Sequence, residues 1–187
     1  MVELRRLLAR IIGWFPLTPG GVVLLLGSMI AIRAFGIARS DLLMFILGAL
    51  GAAIATLALM SVLIGGLRVA WAVGSEQDDS PILAECSHPA VTGFQVPTLW
   101  WLPGVGVEWT WLEPEVEVTM HRRKGWLRER VVPVRRGEAD RVVREFVISD
   151  AFGIARIRFR REQERRFRAV PHLGALEQIH VVQGLAG

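Results

Sequence analysis

The sequence predicts a membrane α-hairpin of two transmembrane helices followed by an all-β, immunoglobulin-like sandwich domain. Three observations carry this. The first 75 residues hold two long apolar runs; a short polar link joins them; and beyond residue 80 brief β-branched and aromatic runs alternate with polar residues. The domain division that follows is 1–75 for the hairpin, 76–171 for the β domain and 172–187 for a tail or the start of a further domain.

Composition agrees with that division. Of 187 residues 52% are hydrophobic, mean hydropathy is +0.39 and the isoelectric point is near 10.8, as in membrane proteins with basic flanks. Without the hairpin about 110 residues remain, enough for one ordinary domain. Cys86 is the single cysteine, so no intrachain disulfide supports the fold. His88, His121, His172 and His180 match no metal-ligand spacing, and no metal or other cofactor is expected.

The first apolar run, residues 17–32, reads LTPGGVVLLLGSMIAI without a charge and resumes after Arg33 as AFGIA. As a helix it is about long enough to cross a ~30 Å hydrocarbon core. An arginine at a helix centre costs roughly 2.5–3.5 kcal/mol on insertion scales, so Arg33 is expected at the membrane interface, where its stem can snorkel. The second run, residues 42–66, has no ionisable side chain in 25 positions. Gly48, Ala52 and Thr56, with Gly51 and Ala55, place small residues at four-residue intervals, the pattern that lets a second helix approach closely. The expected partner is the first helix of the hairpin, with homo-oligomerisation as the other use.

The link FGIARSD forces the two helices antiparallel. Arg5, Arg6 and Arg10 before the hairpin and Arg68 after it outnumber Arg33 and Arg39 at the link, which predicts cytoplasmic termini. Trp14 and Trp71 flank the hairpin on that side as an expected aromatic belt. A cleaved signal peptide is disfavoured, because no small-residue cleavage site follows the first run and a second apolar run comes at once.

Residues 72–81, AVGSEQDDSP, mark the boundary. Beyond it strands are predicted near 82–91, 96–101, 106–112, 115–122, 127–135, 141–149, 154–160 and 165–170, with turns at LPGVG, EPE and RRGEAD. In GVEWTWLE, Val107, Trp109 and Trp111 share one face and Glu108, Thr110 and Leu112 the other. Regular spacing of this kind suggests a sandwich on one core, and the segment 76–171 is expected to fold alone.

Charge is segregated. Residues 76–117 carry eight acidic side chains and no lysine or arginine, whereas 118–170 carry sixteen basic and seven acidic ones. Acidic strands lying beside basic strands are the first expectation. A basic face for anionic lipid or an acidic partner is the second. Nothing resembles a nucleic-acid recognition motif. Nor is there a nucleophile elbow, a zinc-protease helix, a phosphate loop or a dinucleotide fingerprint, and Cys86 and His88 lack a third group to orient them, so no enzyme is expected.

In FVISDAFGIARIRF, residues 146–159, Asp150 can accept backbone N–H groups across a turn, Gly153 can take a positive φ, and Phe152 is expected to tuck beneath. Ala155, Ile157 and Phe159 then alternate with Arg156, Arg158 and Arg160. Two N-terminal membrane helices, a β-rich stretch, the arginine-glycine segment VPVRRGEADRVVREFVISD, the DAFGIAR turn and a strand ending in AVP resemble the bacterial family called domain of unknown function 58. Members typically carry D-P-F-G-L-F at the turn; here Ala151 stands where proline is usual, and Ala169, Val170 and Pro171 close the strand. The resemblance implies a membrane-anchored accessory protein of the bacterial inner membrane, often partnered with a MoxR-type AAA+ ATPase. It also implies a later von Willebrand factor A-like region, which residues 1–187 do not include, so the expectation is either a piece of a longer protein or a short homologue. The expected role is a non-enzymatic scaffold whose partners are the lipid bilayer and a protein; an extracytoplasmic envelope-assembly module of inverted topology is the alternative.

Overall fold

The computed structural model describes residues 16–75 and 80–171. Thr18 caps α1 (Pro19–Ile30): its side-chain oxygen accepts from the Gly21 N–H at 3.2 Å, and Pro19 supplies a pre-set φ at the first helical position. The helix widens into a π-helical stretch over Ala31–Ile37. Asp41 then starts α2 (Leu42–Ser75), its Oδ1 accepting from the N–H groups of Leu43 and Met44 at 3.0 and 3.2 Å. Both helices, Pro19–Ile37 and Leu42–Gly74, are long and apolar enough to cross a membrane. Only 17% and 11% of their most apolar stretches is buried, unlike a core helix of a soluble protein.

At 34 residues α2 is about 51 Å long, well beyond the ~30 Å of a hydrocarbon core. Its length has a use. Gly48, Ala55, Ala58, Val62, Gly65, Val69 and Val73 are buried at three-, four- and seven-residue intervals, one continuous stripe along the helix. The first part of the stripe faces α1, where a Cβ on Gly48 would lie 2.7 Å from Ile32 and one on Gly51 would collide with Ser28. The second part faces the strands.

Among the described residues nine strands form three three-stranded sheets. β2 (Ala90–Pro97), β5 (Trp126–Pro133) and β4 (Val116–Arg123) make one; β3 (Val105–Glu113), β7 (Val142–Asp150) and β8 (Arg156–Gln163) make the second; both are antiparallel. The third joins β1 (Ile82–Glu85), β9 (Phe167–Val170) and β6 (Gly137–Ala139), with β1 parallel to β9. The expected first strand is broken at residues 86–89, and residues 98–104 form a loop where a strand was expected to 101. RRGEAD, expected as a turn, contains β6. EPE turns the chain from one sheet into another, since β3 pairs with β7 and β4 with β5. The β4–β5 hairpin closes through Lys124 and Gly125, both at positive φ.

Alternation read in β3 and β8 is present as expected: Trp109 and Trp111 are buried while Glu108 and Thr110 are exposed, and Arg156, Arg158 and Arg160 point outward. Inside, Val62, Val69 and Val73 of α2 join Phe94, Val96, Leu99, Trp109, Phe146 and Ile148 in one cluster. A second cluster farther from α2 holds Ile82, Trp111, Val131, Val142 and Phe167. The division expected after residue 75 therefore follows the chain but cuts through a shared core.

Candidate functional site

The Asp150 turn is where the helices meet the strands. Asp150 Oδ2 accepts from the Phe152 N–H at 2.8 Å and Oδ1 from the Ala155 N–H at 2.5 Å, while Gly153 takes φ +68°, a conformation glycine adopts without strain. This arrangement turns the Gly153 and Ile154 carbonyls toward α1. Thr18 donates its N–H to Ile154 O at 2.9 Å and its hydroxyl to Gly153 O, and Arg156 N–H donates to Pro16 O at 2.8 Å. A Cβ on Gly21 would lie 2.2 Å from Ile154 O, so only glycine permits the contact. One threonine thus caps α1 and fastens it to the turn.

Asp150 and Gly153 take the roles expected of them, but Phe152 does not. It is 82% exposed. The space beneath the turn belongs to Ile154, which packs with Ala55 and Ala58 of α2, and to Ala155, which joins the main core. Phe152, at the tip, has nowhere inward to go.

Beside the turn, Ala151 N–H donates to Gly104 O at 2.6 Å and so ties it to the 98–104 loop. Thr98 anchors that loop by donating both N–H and hydroxyl to Gly125 O. Leu99 and Leu102 drop onto Gly65 of α2, where an added Cβ would meet Leu99 at 2.9 Å. Two tryptophans are left outside: Trp100 is 75% and Trp101 43% exposed, with the Arg68 guanidinium 6.0 Å from the Trp101 ring centre.

The remaining residues singled out by sequence divide. Gly48 does pack against α1 and Ala52 is half-buried, but Thr56 is exposed and its hydroxyl donates to Ala52 O of its own helix at 2.8 Å. The close-packed row turns with the helix through Gly51, Ala55 and Ala58, because spacings of three and four must alternate to stay on one face of a 3.6-residue helix. Arg33 is exposed in the π-helical stretch near the link, Trp71 is exposed at the far end of α2, and Trp14 lies outside the described residues.

A buried polar cluster was not foreseen. Glu129, fully buried on β5, accepts from Trp109 Nε1 at 2.8 Å, Thr92 Oγ1 at 2.9 Å and Arg144 at 2.9 and 3.1 Å. The Arg144 guanidinium also donates to Gln163 Oε1 and lies 4.1 Å from the Phe94 ring centre and 5.0 Å from that of Trp111. Parity was the available signal: Glu129 falls on the inward face between Leu127 and Val131, and Arg144 between Val142 and Phe146. The pair spans the two larger sheets at the divide between the two apolar clusters. With its acceptors occupied, the carboxylate serves as a lock between sheets.

Charge pairing follows the expected cross-strand logic in part. Arg160 meets Glu145 and Arg168 meets Glu138, but all four belong to the basic half; of the acidic segment, Glu113 pairs with Arg141. Glu113 and then Glu162 raise the Arg141 pKa above its ordinary value. Among the described residues no group of three or more His, Cys, Asp or Glu is placed to hold a metal ion. Comparison with protein-family models, curated proteins and solved structures finds no match to this chain.

Proposed function

We propose that this chain is a non-enzymatic, membrane-anchored scaffold or accessory protein of the bacterial inner membrane, holding an immunoglobulin-like sandwich at the cytoplasmic face. The observation that carries this is the single buried stripe of α2, which packs on α1 and then on the strands, so the β region is held rigidly by the helices that anchor it. The sandwich reading takes the β2-β5-β4 and β3-β7-β8 sheets as its two layers, sharing Val96, Trp109, Phe146 and the Glu129–Arg144 pair between them. The excess of arginine on the terminal side of the hairpin supports the cytoplasmic orientation.

The surface offered to a partner is the outward face of the β2-β5-β4 sheet. His121 stands opposite Arg128 and Thr119 opposite Arg130, with Arg123 and the Trp126 ring beside them. Such a face suits an acidic protein surface. The resemblance to domain of unknown function 58 nominates a MoxR-type AAA+ ATPase as that partner.

Two measurements test this. An impermeant maleimide should label Cys86 only from the cytoplasmic face of oriented membrane vesicles; labelling from the opposite face would instead assign the inverted topology. Affinity capture of the full chain from native membranes should recover an AAA+ ATPase, and the paired substitution Arg128→Glu with Arg130→Glu should abolish the capture. Unchanged capture by that variant would sink the surface assignment.

A further inference from the structure

We infer that Trp100, Trp101 and Phe152 form an aromatic foot that seats the β region directly on the bilayer surface. The inference rests on the reading of α1 and α2 as membrane spans. Counted from Leu42 at about 1.5 Å per residue, a ~30 Å hydrocarbon core ends near Val62. Gly65 and Arg68, on which the 98–104 loop sits, then fall at headgroup level. Thr18, where α1 begins, is hydrogen-bonded to the Phe152 turn, whose Ile154 packs beside Ala58 at the acyl boundary. The two loops touch through Ala151 and Gly104, so the three rings crown neighbouring loops at the level where the helices leave the bilayer.

Depth and chemistry agree. Phe152, wholly apolar, sits on the deeper loop; Trp100 and Trp101, whose N–H groups seek a polar partner, sit on the shallower one. Arg68, beside the Trp101 ring, supplies a cation at the level of the lipid phosphates. The Phe152 and Trp100 rings do no work inside the fold: the core beneath is filled by Leu99, Leu102, Ile154 and Ala155, while Phe152 and Trp100 are 82% and 75% exposed. Leu63, Ile64 and Leu67 of α2, exposed and apolar at this same level, make lipid the occupant of this patch.

Site-directed labelling of the full chain in lipid nanodiscs tests the foot. In a Cys86→Ser background, an environment-sensitive fluorophore is placed by Phe152→Cys, by Trp100→Cys, by Leu47→Cys in the hairpin, and by Arg130→Cys on the outward sheet. Labels at 152 and 100 should be quenched several-fold more by lipids carrying a nitroxide near the headgroup than by aqueous iodide. The label at 47 should respond to a deep nitroxide, and that at 130 to iodide alone. Labels at 152 and 100 that behave like the one at 130, with 47 still quenched by deep lipid, would overturn the foot and leave the membrane reading intact. Iodide access at 47 would remove the membrane reading itself. Labels at 152 and 100 shielded from both quenchers would assign the patch to a protein instead. A native-side-chain check is W100F with W101F, which should lower the fraction of tryptophan emission quenched by brominated lipid; an unchanged fraction counts against the proposal.

Discussion

The two halves of α2 share a spacing of buried residues, yet they meet different partners. Up to Ala58 the buried side is glycine and alanine, and it lies against α1, with Ile154 of the turn reaching Ala55 and Ala58. From Val62 onward it is valine with Gly65 and Gly66 between, and it lies against the strands, with Phe94, Val96, Trp109 and Ile148 around it. Small residues suit a helix partner, whose backbone can approach closely and whose gain is van der Waals contact. Valine suits a sheet core, where burying apolar area is the gain. Side-chain volume along the buried stripe separates the halves.

Truncation is the strongest way to break the comparison. A fragment of residues 80–171 loses Val62, Val69 and Val73 from its core, each worth roughly 1.5–3 kcal/mol when buried, against a typical total stability of about 5–15 kcal/mol. It should bind a hydrophobic dye and melt without cooperativity, whereas a fragment of residues 61–171, keeping the second half of α2, should unfold cooperatively. Equal urea melts for the two would mean that the strands do not need the helix.

Within the second half's domain, Arg144→Met leaves the Glu129 carboxylate buried beside Trp109 and Thr92 only, at a cost of about 3–5 kcal/mol. Urea unfolding of the 61–171 fragment measures it. Glu129→Gln together with Arg144→Met should recover much of that loss, and a double variant no better than the single one would refute the pairing.

Gly48→Ala sharpens the other side. Its methyl would meet Ile32 at 2.7 Å and Ser28 O at 2.8 Å, so the hairpin must open, at about 1–3 kcal/mol. Thermal unfolding of the full chain in detergent should register this, while the 61–171 fragment cannot contain it. The smallest effects are expected of Thr56→Ala and Phe152→Ala, each under about 0.5 kcal/mol, because both side chains are exposed. A Phe152→Ala loss as large as that of Arg144→Met would restore the buried ring expected from sequence.

Much of this was legible in the residues themselves. Two uncharged runs mark the helices, strict alternation marks the inward faces of β3 and β8, and an aspartate three residues before a glycine marks the turn. Each of these signals is local, set by a side chain and its neighbours a few positions away. What the tertiary structure alone decided is which surfaces meet. Residues 98–101 have strand-like composition but form a loop because Leu99 is drawn onto Gly65, and Phe152 stays outside because Ile154 and Ala155 already fill the space under its turn. Glu129 and Arg144 lie on inward faces of strands in different sheets, and neither could be assigned until both sheets were in place. Hydrophobicity and periodicity belong to a segment of chain, whereas the choice of partner depends on the shapes and charges of segments far away in sequence, and those are compared only when the chain folds.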